Sequence, residues 1–182
     1  MHPDRIKLAE CAIILPGGTP RTNVGEYWGG SIPWLSIKDL ECPGRYVYNT
    51  EKTITEKGLS NSSTSLLTRD DIIISARGTV GALAMVGRAM AFNQSCFGIR
   101  AKPNIIPSFL YYSLKQSVNT LKQNSYGSVF NSFKSKNIAE LEIWCPEITI
   151  QQSISSILAS IDDKIELNKS INDNLGGVYC VS

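Results

Sequence analysis

Three kinds of hydrophobic spacing divide the chain. Up to about Lys57 apolar positions are broken every few residues by Gly, Pro and aromatics, as in Tyr27-Trp28-Gly29-Gly30-Ser31-Ile32-Pro33-Trp34, a pattern of loops and short strands in which helix is not expected. Asp71-Ile72-Ile73-Ile74-Ser75 is then a β-branched run of buried-strand type, followed by Arg77-Gly78-Thr79-Val80-Gly81 and a second apolar run from Ala82 to Val86. This predicts a hairpin or tight strand connection. A third strand is expected over Met90 to Arg100, with Asn93-Gln94 inside it. From Pro107 the spacing turns helical, with Leu110, Leu114, Val118 and Leu121 at intervals of three and four and proline where a first helical turn tolerates it. That helix should pack on the sheet. A polar connection, Gln123 to Ser128, leads through Val129 to Phe133 into the strand-like Leu141-Glu142-Ile143-Trp144, and Pro146 closes the globular part.

The tail differs in kind. Thr149 is positioned to cap a helix whose third residue is Gln152, a capping-box spacing, and Gly176-Gly177 offers a stop after Leu175. The implied helix, Ile150 to Leu175, is about 39 Å long at the usual rise. Alternating steps of four and three residues give Ile150, Ile154, Ile157, Ile161, Lys164, Asn168, Ile171 and Leu175, a seam of coiled-coil type that Leu158 and Ile165 widen. Polar Lys164 and Asn168 suit a partnered helix that fixes its register, and equally the solvated half of a solitary one. So broad a stripe on so long a helix implies a second surface to cover it. The last helix of a compact domain is the alternative.

Composition is that of an ordinary soluble domain of 182 residues, with one main core expected. No stretch approaches the roughly 20 apolar residues of a membrane span, and the first residues lack the apolar core of a signal peptide, so an intracellular, cytoplasmic protein is expected. Cys11, Cys42, Cys96, Cys145 and Cys180 are scattered and contain no C-x-x-C pair, which favours free thiols. The single histidine, His2, leaves none for a histidine-based triad and removes the commonest catalytic-metal ligand.

Charge changes the picture more than composition does. Between Ile72 and Ala139 there are eight basic residues, Arg77, Arg88, Arg100, Lys102, Lys115, Lys122, Lys134 and Lys136, and no acid. With acids spread evenly, about six would fall in that window. The flanks, with ten basic and sixteen acidic residues, carry −6, so the net +2 conceals a +8 region suited to an anionic partner.

Within that region Arg77-Gly78-Thr79-Val80-Gly81 sets a guanidinium, a hydroxyl and two glycines at a turn that can approach phosphates, although the P-loop spacing is absent and, taken alone, a structural hairpin with an exposed arginine is the better account. Asn93 and Gln94 carry amides of the kind that pair with adenine in a major groove; an Asn in a strand also commonly bonds local backbone. The polar loop with Ser125, Tyr126 and Ser128, flanked by Lys122 and Lys134, has the chemistry of a recognition loop. Lys38 is a further basic candidate. Trp28 and Trp34 are able to stack on bases, though aromatics beside Gly and Pro more often pin a loop to the core. Asp70-Asp71 reads as a solvated strand entry, because neighbouring strand residues point to opposite faces and make a poor metal pair.

Taken in order, Gly18-Thr19-Pro20, the Tyr27 to Trp34 stretch, Ile54-Thr55-Glu56-Lys57-Gly58-Leu59, Arg77-Gly78-Thr79-Val80-Gly81, Asn93-Gln94 and Pro146 with Gln151-Gln152 opening a long helix resemble the DNA specificity subunits of type I restriction-modification systems over nearly the whole chain. The resemblance implies an α+β fold: a mixed-β globular target-recognition domain with packed helices over 1–145, followed over 146–182 by one long C-terminal helix of coiled-coil type. It implies a non-catalytic subunit that reads one half of a split site on double-stranded DNA and directs methyltransferase and restriction subunits, with S-adenosylmethionine, ATP and magnesium on those partners and no cofactor or metal here. Members usually carry two such domains held apart by two antiparallel helices; this length, one domain and one helix, implies a half-length subunit, natural or a truncated product, that would act as a two-fold homodimer through its helix. The acidic flanks would face the partner subunits. Two other classes remain open: a small metal-dependent nuclease using Asp70, Asp71 or Glu142, and a DNA-binding or protein-interaction module acting alone.

Overall fold

The structure, a computed structural model, describes residues 5–41, 44–124 and 135–178; the side chains of 41, 120–124 and 174–178 lie outside what it describes. In chain order, β1 (Arg5–Lys7) and the helical turn α1 (Leu8–Cys11) lead to β2 (Ala12–Pro16), followed by β3 (Trp28–Leu35), β4 (Tyr46–Val47), β5 (Lys52–Ile54) and α2 (Glu56–Ser60). The hairpin of β6 (Ile72–Ser75) and β7 (Leu83–Val86) precedes β8 (Ala91–Phe92), β9 (Cys96–Ala101) and α3 (Pro107–Asn124). Then come α4 (Ser135–Ala139), β10 (Glu142–Trp144) and α5 (Ile148–Val178). This is the expected α+β architecture ending in a long helix.

The strands form a five-stranded sheet in the order β2-β9-β6-β7-β4, a three-stranded sheet β5-β3-β8 and a β1-β10 pair. In the larger sheet β4 runs parallel to β7 and the other pairs are antiparallel. The Ile72-Ile73-Ile74 run is central and fully buried, and the two-residue period of a strand sends its side chains to different cores. Ile72 and Ile74 join Met85 and Ile99 beneath Leu110, Leu114 and Val118 of α3, as the helical spacing predicted. Ile73 points the other way, to Leu35, Val86, Met90 and Phe92. Each such side chain contributes roughly 1.5–3 kcal/mol by leaving water.

Four local expectations are corrected. Met90 to Arg100 is two strands: β8 pairs in parallel with β3 in the small sheet, β9 lies between β2 and β6 in the large one, and residues 93–95 turn between them. The polar Asn93-Gln94-Ser95 interrupts the run where the chain turns, but nothing in either half says which sheet it will join. Asp71 is no solvated entry: it is 5% exposed, its Oδ2 accepts from Thr68 N at 2.7 Å, and Arg100 Nε lies 3.0 Å from both carboxylate oxygens. Beside it Asp70 takes a positive φ of 72° and accepts from the Tyr46 hydroxyl at 2.8 Å. Thr149 does not cap the tail helix, which begins at Ile148 with Ile150 N and Gln151 N both donating to Glu147 O at 3.0 Å. Nor does Gly176-Gly177 end it, since α5 reaches Val178; glycine permits a left-handed cap without imposing one, and its cost within a helix is only about 1 kcal/mol.

Cys11, Cys96 and Cys145 are in no disulfide among the described residues, with burial pushing Cys96 up to about 12 and Cys11 to about 11. No helix among the described residues is long and apolar enough to cross a membrane. Because Asp71 holds both Arg100 and the Thr68 backbone, Asp71→Ala strands those donors, and urea unfolding is expected to show a loss of about 2–3 kcal/mol.

Candidate nucleic-acid interface

One end of the two sheets collects four loops, and a chain of backbone bonds aligns them. Where β3 ends, Leu35 O accepts from Asn93 N at 2.9 Å, so the turn after β8 is tied to the segment carrying Lys38. Ser95 O accepts from Ala76 N at 2.8 Å, tying the same turn to the base of the β6–β7 hairpin. Gly18 N donates to Phe92 O at 2.9 Å and brings in the loop after β2.

Each loop is stiffened by its own polar groups. Beyond β3, Asp39 Oδ2 accepts from Ser36 N and Ser36 Oγ at 2.8 Å while Oδ1 accepts from Glu51 N at 2.8 Å; the 3₁₀ turn Ile37–Glu41 is thereby closed and Lys38 left exposed. In the hairpin, buried Ser75 donates its hydroxyl to Thr79 O and accepts from Ala82 N at 2.8 Å. Gly78 and Gly81 take φ of 70° and 76°, so Arg77, Gly78 and Thr79 stand at the exposed tip. A Cβ on Gly78 would sit 3.3 Å from Ile37 Cδ1, so the hairpin tip lies beside the Lys38 turn. Asn93 Oδ1 accepts from Ser95 N at 3.1 Å, a local Asx turn, which leaves the exposed Gln94 as the outward amide. Thr19 donates to Gln94 Oε1, so the Gln94 side chain is held from the neighbouring loop with its amide donors free of that bond.

The tryptophans act as pins. Trp34, 7% exposed, donates from Nε1 to Gly18 O at 3.0 Å, Trp28 donates to Arg21 O at 3.2 Å, and the two rings meet edge to face at 5.1 Å. Between the loops lies a cleft of about 270 Å³ lined by Trp34, Ile37, Lys38, Lys52 and Asn93. Lys52 also lines an adjoining cleft with Thr22 and Trp28, its ammonium 5.9 Å from the Trp28 ring.

The structure thus brings together Lys38, Arg77, Gly78, Thr79, Asn93 and Gln94, from three separate sequence segments. Ser125, Tyr126, Ser128 and Lys134 lie outside the described residues, as does the side chain of Lys122. The acid-free window is not one basic face. Arg100 is bound to Asp71, and Lys102 donates to Ala9 O at 2.8 Å and Glu10 O at 3.2 Å, so these two charges serve the interior. Lys115 lies over the Tyr111 ring at 5.6 Å.

A family model described as type I restriction modification DNA specificity domain matches residues 5–176. The chain belongs to that family. The type I restriction enzyme MjaIX specificity subunit of Methanocaldococcus jannaschii is 34% identical over 173 residues, which are 93% of this chain and 40% of that protein. The EcoR124I/EcoR124II specificity subunit of Escherichia coli is 33% identical over 168 residues, 87% of this chain and 40% of its own length. The chain therefore spans about 40% of the length of these curated relatives. Among solved structures, a chain of a type I R-M system superposes with a TM-score of 0.71 at 19% identity over 94% of this chain and 41% of its own length. The HsdS subunit from Thermoanaerobacter tengcongensis does so at 0.67 and 18% identity over 92% of this chain and 39% of its own. These share the fold.

Two residues of this specificity domain sit at the loop cluster without having been marked from sequence. Lys52 lies outside the acid-free window, and its place follows from its register opposite Trp34 across β5 and β3. Thr19 belongs to the Gly18-Thr19-Pro20 motif, but its bond to Gln94 spans 75 residues and has no local signature. The close approach of the two loops is sharpest at Gly17, where a Cβ would lie 2.0 Å from Asn93 O. Gly17→Ala should therefore displace the 93–95 turn, shifting its amide resonances and costing about 1–3 kcal/mol in thermal or urea unfolding.

Proposed function

We propose that this chain is the DNA-reading part of a type I specificity subunit, in which residues 1–145 form the target-recognition domain and 146–182 the spacer helix. The convergence of Lys38, Arg77, Gly78, Thr79, Asn93 and Gln94 on one rigid loop cluster carries the reading. Exposed cations and backbone N–H groups at a glycine turn suit phosphates, while the Gln94 amide, held by Thr19, suits a base edge in the major groove. The acidic candidates for nuclease chemistry have other duties: Asp71 is engaged by Arg100 and Thr68, Asp70 by Tyr46, and Glu142 lies 3.7 Å from Arg5 across β1 and β10. Catalysis, with its S-adenosylmethionine, ATP and magnesium, falls to methyltransferase and restriction subunits assembled around this one, and this chain itself carries no cofactor.

The tail helix supports the split-site element. Its side chains at Ile150, Ile157, Ile161, Ile165 and Ile171 are 44–61% exposed although they are aliphatic, Lys164 and Asn168 are exposed along the same face, and Ile154 is half-buried. A second helix of like character covers such a seam well, and a second copy of this chain supplies it through a two-fold axis, with two domains then reading a symmetric interrupted site. The Leu175 side chain lies outside the described residues.

Ile157→Asp or Ile161→Asp is expected to halve the mass in solution while circular dichroism of the globular part persists; an unchanged mass would count against the paired helix. Arg77→Ala is expected to weaken duplex binding alike for all sequences and to reduce the salt slope by about 1, whereas Gln94→Ala should relax preference at one base pair by roughly 1–3 kcal/mol. Co-expression with the cognate methyltransferase subunit followed by mapping of modified adenines tests the whole reading. A symmetric interrupted motif is the expected result, and a bound partner that leaves DNA unmodified would overturn it.

A further inference from the structure

Helix α5 packs on α3 along its first turns, where Ser155 is buried and Ile154 and Leu158 are half-buried, and it makes polar attachments to the globular body at two separated places. Near its start Gln151, 1% exposed, accepts from Ile106 N at 3.0 Å through Oε1 and donates through Nε2 to Pro146 O at 2.8 Å. About three turns on, Arg45 at the entrance to β4 reaches the helix. Its Nη2 donates to Asp163 Oδ1 at 3.0 Å, its Nη1 to the Tyr112 hydroxyl of α3 at 3.1 Å, and its backbone N–H to Glu166 Oε1 at 2.6 Å. Tyr112 in turn donates to Asp162 Oδ2 at 2.9 Å, and the guanidinium lies 5.2 Å from the centroid of Tyr46. Burial pushes the Tyr112 hydroxyl up to about 12, so it stays a donor at every physiological pH. The acids of this flank, expected to face partner subunits, are thus turned at Asp162, Asp163 and Glu166 onto the chain's own body.

The second attachment is an odd one if stability were its sole purpose. The Arg45 side chain is 13% exposed, and its Nε is buried with no hydrogen-bond partner among the described residues, which is costly. Apolar side chains were at hand on the same helix, yet Ile157, Ile161 and Ile165 point outward. Apolar contact tolerates sliding and rotation; a planar fork bonded to a phenol and a carboxylate fixes one direction.

We infer that Arg45 is a positioning residue whose fork, gripping Tyr112 and Asp163, sets the angle between α5 and the recognition domain and so the gap between half-sites. The second part rests on the split-site reading above. Gln151 to Asp163 spans about 18 Å of helix and Gln151 to Val178 about 40 Å. With Gln151 as pivot, a displacement of about 2 Å at Asp163 becomes about 4–5 Å at the far end, more than the ~3.4 Å that separates successive base pairs. One loosened anchor is then enough to let the complex accept a gap one base pair longer or shorter.

The test uses the full chain with dyes on non-natural side chains at Asn61 and Asn172, both exposed, mixed with excess unlabelled chain so that energy transfer reports distances within one copy. The wild type is expected to give one narrow distance distribution, and Arg45→Ala and Asp163→Ala a broadened one. Asp163, with a side chain 63% exposed, can be changed without touching the core, so an Arg45 variant that failed to fold would leave the question decidable. A distribution as narrow as the wild type's in the Asp163 variant overturns the joint. With the methyltransferase partner present, both variants should gain modification at motifs whose gap differs by one base pair; retention of a single gap overturns its role in spacing. Wild-type protein that modifies no split motif would sink the split-site reading instead, and the distance measurement would still decide whether Arg45 sets the helix angle.

Discussion

Strand β6 has no solvent face, and most of the molecule is arranged around that fact. Ile72 and Ile74 must be covered on one side and Ile73 on the other, so the five-stranded sheet becomes a partition between two cores. Helix α3 covers the first, and the second is closed by β8 and the end of β3. A one-residue slip of β6 would exchange the two sets of side chains, which fixes its register. The hairpin that follows β6 is therefore held at a definite height, and its tip emerges where the chain crosses from one sheet to the other.

That crossing, at residues 93–95, is where the fold produces a surface with chemistry. β8 and β9 belong to different sheets, so the backbone between them must turn, and its polar groups are met by Leu35 and Ala76. A turn bonded on both sides carries little freedom into binding, and Gln94, Arg77 and Lys38 are presented in fixed relation. Under the proposed function this suits sequence reading: the apolar scaffold fixes the positions, while the side chains at its end remain exposed.

Charge is sorted by the same logic. A basic residue serves the exterior only where the fold leaves it without an internal partner. Arg100 lies next to Asp71 across adjacent strands, and Lys102 reaches the carbonyls of α1, so both stabilise the body. The tail helix is divided lengthwise, its polar row, Gln151, Asp162 and Asp163, bonded to Ile106, Tyr112 and Arg45, and its isoleucine row turned out. The two sides differ in what they meet: one is bonded to the chain's own domain, and the other is the face that the proposed second helix would cover.

The sequence by itself determined the elements that rest on local periodicity: the buried Ile72-Ile73-Ile74 strand, the glycine hairpin after it, helix α3 from Pro107 and the long apolar seam of α5. It also carried the family, through motifs whose order along the chain needs no geometry to be read. Tertiary structure decided what joins across distance. It broke the Met90 to Arg100 run between two sheets, paired Asp71 with Arg100, began α5 before Thr149 through the buried Gln151, and set Thr19 beside Gln94 and Arg45 beside Asp163. Periodicity reports how one segment alternates between solvent and core, whereas these pairings depend on which segments meet, and residues separated by 75 or 118 positions leave no trace of their meeting in either local pattern.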